Sequence, residues 1–210
     1  MFKQALTAIF ISTIGCNTGT PTYAEVTYDK TTHTMRVSGD TDPKLYADVK
    51  AVVDKEDVFT VIMYGNGGHV FSGMDIGYLL KDEGVTVTIP KFFRCVSTCA
   101  LSAMAADNLI IEGSLWFHRP YIRDFSIVTT LETILSLGGR GGVYITNYVN
   151  QIGYDISFTA YLLNNTNLNT FAVVEDAEEL LKYRFDPDTT TVAEMSNYEF
   201  KGEGFEFKEF

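Results

Sequence analysis

Three short stretches of this sequence carry residue types that could do covalent chemistry. Ser97 follows a β-type segment and opens a run of small residues, Ala100, Ala103, Ala105 and Ala106, that reads as a compact helix. A serine in that place is an ordinary N-cap. It is equally a hydroxyl displayed at a helix mouth, where a base within reach turns it into a nucleophile. His118 ends the apolar segment Leu115-Trp116-Phe117 and is the strongest candidate base. Gly67-Gly68 lies between a strand and a helix, where bare backbone lets a substrate approach closely and exposed N–H groups could hold a developing oxyanion. Together they point to acyl transfer. Taken singly, each has a bland reading: a cap, a core histidine, a turn. His33 and His69 are weaker bases; His33 sits in an early hairpin, and His69 adjoins the glycines and is expected to line a site there.

Positioning these groups requires parallel strands. Residues 26–29 and 33–37 read as a hairpin, and Asp42-Pro43 opens a helix with Leu45, Val49, Val52 and Val53 on one face. Val58 to Tyr64 is β-rich and reads as a buried strand, followed by a glycine loop over Gly65–His69 and a helix over 70–82. Val85–Ile89, Asn108–Ile111 and Leu115–Phe117 read as further strands. Strand and helix patterns thus alternate three times, which implies parallel strands with crossovers, an α/β layered fold. Residues 126–163 read as helical, broken at Gly138-Gly139 and Gly141-Gly142. The acids among Glu175–Glu179 read as a solvated helix face, and the last twenty residues as an acidic, aromatic strand or hairpin.

Composition narrows the setting. The chain has 210 residues, 46% of them hydrophobic, enough for one domain with a real core. Its net charge of −11 disfavours nucleic acid and anionic lipid as partners. Lys3 is the only side-chain charge before Glu25, an apolar run spans Ala5–Gly15, and Thr22-Tyr23-Ala24 ends in a small residue. This predicts a secretory signal over residues 1–24 and a periplasmic or secreted mature protein. Gly15-Cys16 approximates a lipid-attachment box with Thr13 in place of the usual leucine, so lipid anchoring at Cys16 is the lesser expectation. In an oxidising compartment Cys95 and Cys99 form a candidate disulfide, provided the backbone turns between them. Zinc is the rival reading, but two further ligands at suitable spacing are missing; no metal and no cofactor are expected.

In order and spacing the motifs resemble those of the Clp-protease fold. They are closer still to a family of exported, Clp-protease-like bacterial proteins, mostly uncharacterised. The resemblance rests on Met63-Tyr64-Gly65-Asn66-Gly67-Gly68-His69, Cys95-Val96-Ser97-Thr98-Cys99-Ala100 and Phe117-His118-Arg119-Pro120. It covers residues 58–122 well and the following helices loosely. It implies a ClpP/crotonase-like spiral of ββα units over residues 25–188, with 189–210 as a C-terminal extension. It also implies Ser97 as nucleophile, His118 as base and the amides of Gly67, Gly68 and Thr98 around the oxyanion. The substrate would then be a peptide or small acyl compound, and a homo-oligomer is expected by analogy. The pattern departs from the Clp protease at the acid that orients the histidine. The asparagine-rich segment at 164–169, with Asn165, stands in the corresponding region, and Asp155 is a second candidate. That departure keeps open the alternative of a catalytically inactive binding or assembly module. An acyl-CoA enzyme fits poorly, because CoA is cytoplasmic.

Overall fold

The computed structural model describes residues 23–119, 142–166, 170–181, 183–184 and 206–209. Their order is β1 (Glu25–Asp29), β2 (Thr34–Thr41), α1 (Pro43–Val53), β3 (Thr60–Gly68), α2 (Val70–Asp82), β4 (Thr86–Ile89), β5 (Arg94–Val96), α3 (Thr98–Ala103), β6 (Asn108–Ile111) and β7 (Ser114–Phe117). Then come helix α4 over 142–151, α5 (Ile156–Asn165), β8 (Thr170–Val174), α6 (Ala177–Leu181) and β9 (Glu206–Glu209). The expected signal over 1–24 falls outside the described residues except for its last two, as do residues 126–141 of the helical stretch expected over 126–163 and, in the extension, residues 189–205 and 210. Among the described residues no helix is long and apolar enough to cross a membrane.

Local sequence explains the leading elements. Asp42 caps α1 by accepting from the Leu45 amide at 2.7 Å, and Pro43 occupies the first turn, where its missing N–H costs nothing. Leu45 and Val49 then point inward together, one turn apart. β1 and β2 form the expected antiparallel hairpin, with Glu25 opposite Ser38. Beyond Ser38 the register of β2 against β3 shifts at Gly39, whose φ is +95°. A side chain there would collide with the Tyr23 carbonyl. This bulge carries Asp40 and Thr41 alongside Gly67 and Gly68.

β3 organises the sheet. It runs parallel to β2 on one side. On the other it pairs with β4 through Thr60–Ile62 and with β5 at Gly65–Cys95. The sheet therefore branches into an arm β4–β6 and an arm β5–β7–β8–β9. The chain steps from β4 to β5 at Pro90–Phe93 and from β6 to β7 at Glu112–Gly113. The two steps lock together through Gly113 N to Ile89 O (3.0 Å) and Ser114 N to Phe93 O (3.2 Å). The expected α/β fold with parallel strands is present; antiparallel pairs occur at β1–β2, β7–β8 and β8–β9. One expectation fails: Gly65–Gly68 is the end of β3, and no loop precedes His69. Glycine-rich sequence reads as a turn, but here the neighbouring β2 supplies ladder partners as far as Gly68.

The core lies between this sheet and the helices, with Met35, Val61, Val87, Ile89 and Leu115 fully buried. α4 is tied in by Tyr148, whose hydroxyl donates to the Leu101 carbonyl at 2.7 Å and whose ring rests against Gly77 of α2. Tyr148→Phe removes this buried donor and is expected to lower the unfolding free energy by about 1–2 kcal/mol, read from urea denaturation.

Candidate active site

β5 and β7 are parallel and in register, with Val96 beside Trp116. The residues that follow each strand therefore emerge on the same edge. After β5 comes Ser97, whose amide donates to the Trp116 carbonyl at 2.7 Å. After β7 come His118 and Arg119. β3 ends on that edge as well, and delivers Gly67 and Gly68.

Ser97 occupies the N-cap position of α3, but its side chain makes no capping hydrogen bond. Its φ of +58° and ψ of −120° form a conformation that side-chain-bearing residues avoid. A strained serine on a tight strand-to-helix turn is the backbone device that lifts a nucleophile above a sheet. Cys95 on β5 and Cys99 in α3 are joined by a disulfide that spans this turn, with Cα atoms 5.1 Å apart. Both cysteines are buried, and their bonded sulfurs are not metal ligands.

Gly67 is adapted to this neighbour. Its φ is +81°, and a Cβ there would lie 2.5 Å from the Val96 carbonyl oxygen, 2.7 Å from the Ser97 Cβ and 2.8 Å from the Thr98 amide nitrogen. The glycine strand and the serine turn thus touch, with only hydrogen between them.

His118 is part-buried against the Phe171 ring, centroids 5.0 Å apart, because β8 pairs with β7 so that Ala172 faces Phe117. Its Nδ1 lies 2.8 Å from the Arg119 carbonyl oxygen. A carbonyl only accepts, so Nδ1 carries the proton and Nε2 keeps its lone pair. Burial lowers the histidine's pKa, and the Arg119 bond partly opposes that shift. The net shift favours the neutral ring.

These groups line one cleft of about 410 Å³. The structure places Ser97, Thr98, His118, Gly67, Gly68 and His69 on it. Among the described residues no hydrogen bond joins Ser97 to His118, so the two share a cleft without forming a closed pair. His69 caps α2 by accepting from the Ser72 amide, and His33 lies apart, bonded to Asp57 O and stacked on Phe59. Neither Asn165 nor Asp155 is among the cleft-lining residues. The Asn165 amide donates to Tyr161 O at 2.9 Å, and Asp155 is buried just ahead of α5. The group seen holding His118 is a backbone carbonyl, which leaves no trace in residue type. Asp40 on the bulged β2, and Thr159 and Leu162 on α5, also line the cleft without having been singled out from sequence.

No family model and no curated protein matches the sequence. Solved structures do resemble it. A point mutant of ClpP1 from Listeria monocytogenes is 16% identical and aligns over 75% of this chain and 94% of its own, with a TM-score of 0.56. ClpP1 from Listeria monocytogenes is 17% identical over 73% and 88%, with a TM-score of 0.50. A mutant of a membrane-bound stomatin-specific protease is 15% identical over 72% and 74%, with a TM-score of 0.49. The likeness to ClpP1 establishes a ClpP-like fold.

Two variants probe the turn. Replacing both cysteines (Cys95→Ser with Cys99→Ser) is expected to lower the unfolding free energy by about 2 kcal/mol, the loop-closure value for so short a ring, measured by denaturant titration. Gly67→Ala must displace the Val96–Thr98 turn, and is expected to lower the melting temperature while circular dichroism stays that of a folded α/β protein.

Proposed function

We propose that this chain is an exported serine hydrolase of peptidase type. Ser97 Oγ attacks a substrate carbonyl, and His118 Nε2 takes the hydroxyl proton. The amides of Gly68 and Thr98, in the space that Gly67 keeps open, receive the oxyanion. The protonated imidazole then gives its proton to the leaving amine or alcohol as the scissile C–N or C–O bond of the tetrahedral intermediate breaks, which leaves the acyl group as an ester on Ser97. Water, deprotonated by the same nitrogen, releases the acid and restores the serine. The observation that carries this reading is the uncapped Ser97 hydroxyl on a left-handed turn, sharing a cleft with a histidine whose Nδ1 is held by a carbonyl. The Ser97–His118 contact would close on substrate binding, since such hydrogen bonds tighten in the Michaelis complex.

Export rests on residues 1–24, with mature sequence from Glu25, where β1 begins. The disulfide supports it, because such bonds persist in the periplasm or outside the cell. A homo-oligomer belongs to the same proposal and rests on the family resemblance alone. A second reading, a non-catalytic binding module on this fold, is favoured by one observation: the unclosed gap between Ser97 and His118.

A diphenyl phosphonate distinguishes the two. Purified mature protein should gain the adduct mass on the peptide carrying Ser97, and Ser97→Ala should gain none. Folded protein that stays unlabelled excludes the hydrolase and leaves the binding module. The labelling rate has a defined pH dependence. The pKa of His118 is lowered from the ordinary 6.5, so its neutral form persists to lower pH. The rate should therefore fall on acidification with a midpoint below 6.5, and the His118→Ala variant should lack that limb.

A further inference from the structure

The described residues that line the cleft include one carboxylate, Asp40, and no lysine or arginine. Asp40 stands on β2 just past Gly39, where the register shift sets it beside Gly67 of β3. The residue is exposed, and the Asn66 side-chain amide donates to its Oδ1 at 3.3 Å. Asn66 lines the cleft too, so this bond holds the carboxylate within the cleft wall. Among the described residues no lysine or arginine pairs with Asp40.

A carboxylate in this place works against the chemistry of a neutral substrate. Neighbouring strands lie about 4.8 Å apart. Gly67 in turn touches the serine turn, since a Cβ on it would be 2.7 Å from the Ser97 Cβ. Asp40 is therefore one strand away from the backbone that would face an oxyanion. A fixed negative charge at that range opposes the growth of a second one, by roughly 2- to 20-fold in rate depending on the local screening. A cation carried by the substrate removes that penalty and gains an ion pair as well. The net charge of −11 draws cations toward the molecule in general; Asp40 is where the cleft itself offers them a partner.

We propose that Asp40 is a specificity-determining residue that pairs with a cationic group of the substrate, the ammonium or guanidinium of a residue near the scissile bond. The inference names the substrate class of the site proposed above. It rests on that reading for the reaction, but not for the binding.

Binding can accordingly be tested without turnover. In full-length mature protein carrying Ser97→Ala, affinities are measured by NMR titration for three tripeptides. Two are capped at both ends and differ as lysine against norleucine at the central residue. The third is the norleucine peptide with a free amino terminus. At least one cationic peptide should bind about 3- to 10-fold tighter than capped norleucine at low salt, and high salt should shrink that preference. The lysine peptide reports a side-chain cation, and the free-amine peptide a terminal one. Adding Asp40→Asn should bring the ratio close to one. Asp40→Glu keeps the charge and should retain the preference. Asp57→Asn, which removes a carboxylate ahead of the opposite end of β3, should leave the ratio unchanged and so separates Asp40 from the general acidity of the surface. Equal affinities for all three peptides, a preference that survives Asp40→Asn, or a failure of all three to bind overturns the proposal. Failure of the hydrolase reading shows separately, as absence of phosphonate labelling at Ser97.

Discussion

Parallel strands in register end at a common level, and the site of this protein is assembled by that constraint. β3, β5 and β7 run the same way, joined at Gly65–Cys95 and Val96–Trp116. Whatever follows each strand must emerge at the same edge of the sheet. Three stretches far apart in sequence thereby meet: the glycine pair from β3, the serine turn after β5 and the histidine after β7. Crevices beyond the carboxyl ends of parallel strands are where ligands bind in open α/β sheets generally. Here the branching of the sheet at β3 adds a second consequence. The step between β4 and β5 turns the chain before Cys95, so Ser97 rises from the arm that begins with β5.

On that scaffold the local chemistry is tightly held. Ser97 sits at a φ that costs energy, and a turn so placed relaxes unless its flanks are restrained. The disulfide between Cys95 and Cys99 restrains both flanks, Gly67 packs against the turn from the side, and the Ser97 amide is tied to Trp116 O. His118 is held by a different means. Its ring is fixed between Phe171 and the carbonyl of its own neighbour Arg119. A backbone acceptor does for the tautomer what a carboxylate does elsewhere, but contributes no full negative charge. Burial outweighs the Arg119 bond, and the pKa falls.

The same cleft shows where stability is given up. Gly67 and Gly68 give up side-chain contacts so that the backbone stays bare. The hydroxyls of Thr98 and Thr159, two residues on the cleft, are buried without a hydrogen-bond partner, while those of Ser102, Thr146 and Thr166 bond back to the carbonyl four residues earlier. Most of these departures lie on the cleft; the Tyr154 hydroxyl, away from it, is unpaired too, and the core is otherwise filled by aliphatic and aromatic side chains. Native proteins break local rules chiefly where a ligand must be met.

How much of this was legible in the residues alone depended on the range of the forces involved. Asp42-Pro43 announced α1, alternation announced the β1–β2 hairpin, and the order of apolar runs announced the parallel α/β fold. These features arise from capping, side-chain direction and burial period, which act within a few residues. Ser97, His118, Gly67 and Gly68 were likewise readable as types at telling positions. The glycines themselves misled, because Gly65–Gly68 is strand only by virtue of ladder partners on β2, about 25 residues away in the chain. The carbonyl that orients His118 carries no side-chain signature at all. Thr159 looks like any helical threonine until its hydroxyl is seen to decline the carbonyl behind it. Sequence could nominate the reacting groups, because their chemistry resides in the side chains. Which groups share a cleft, and which polar atoms go unpaired there, follow from long-range registry and packing, and only the folded chain decides them.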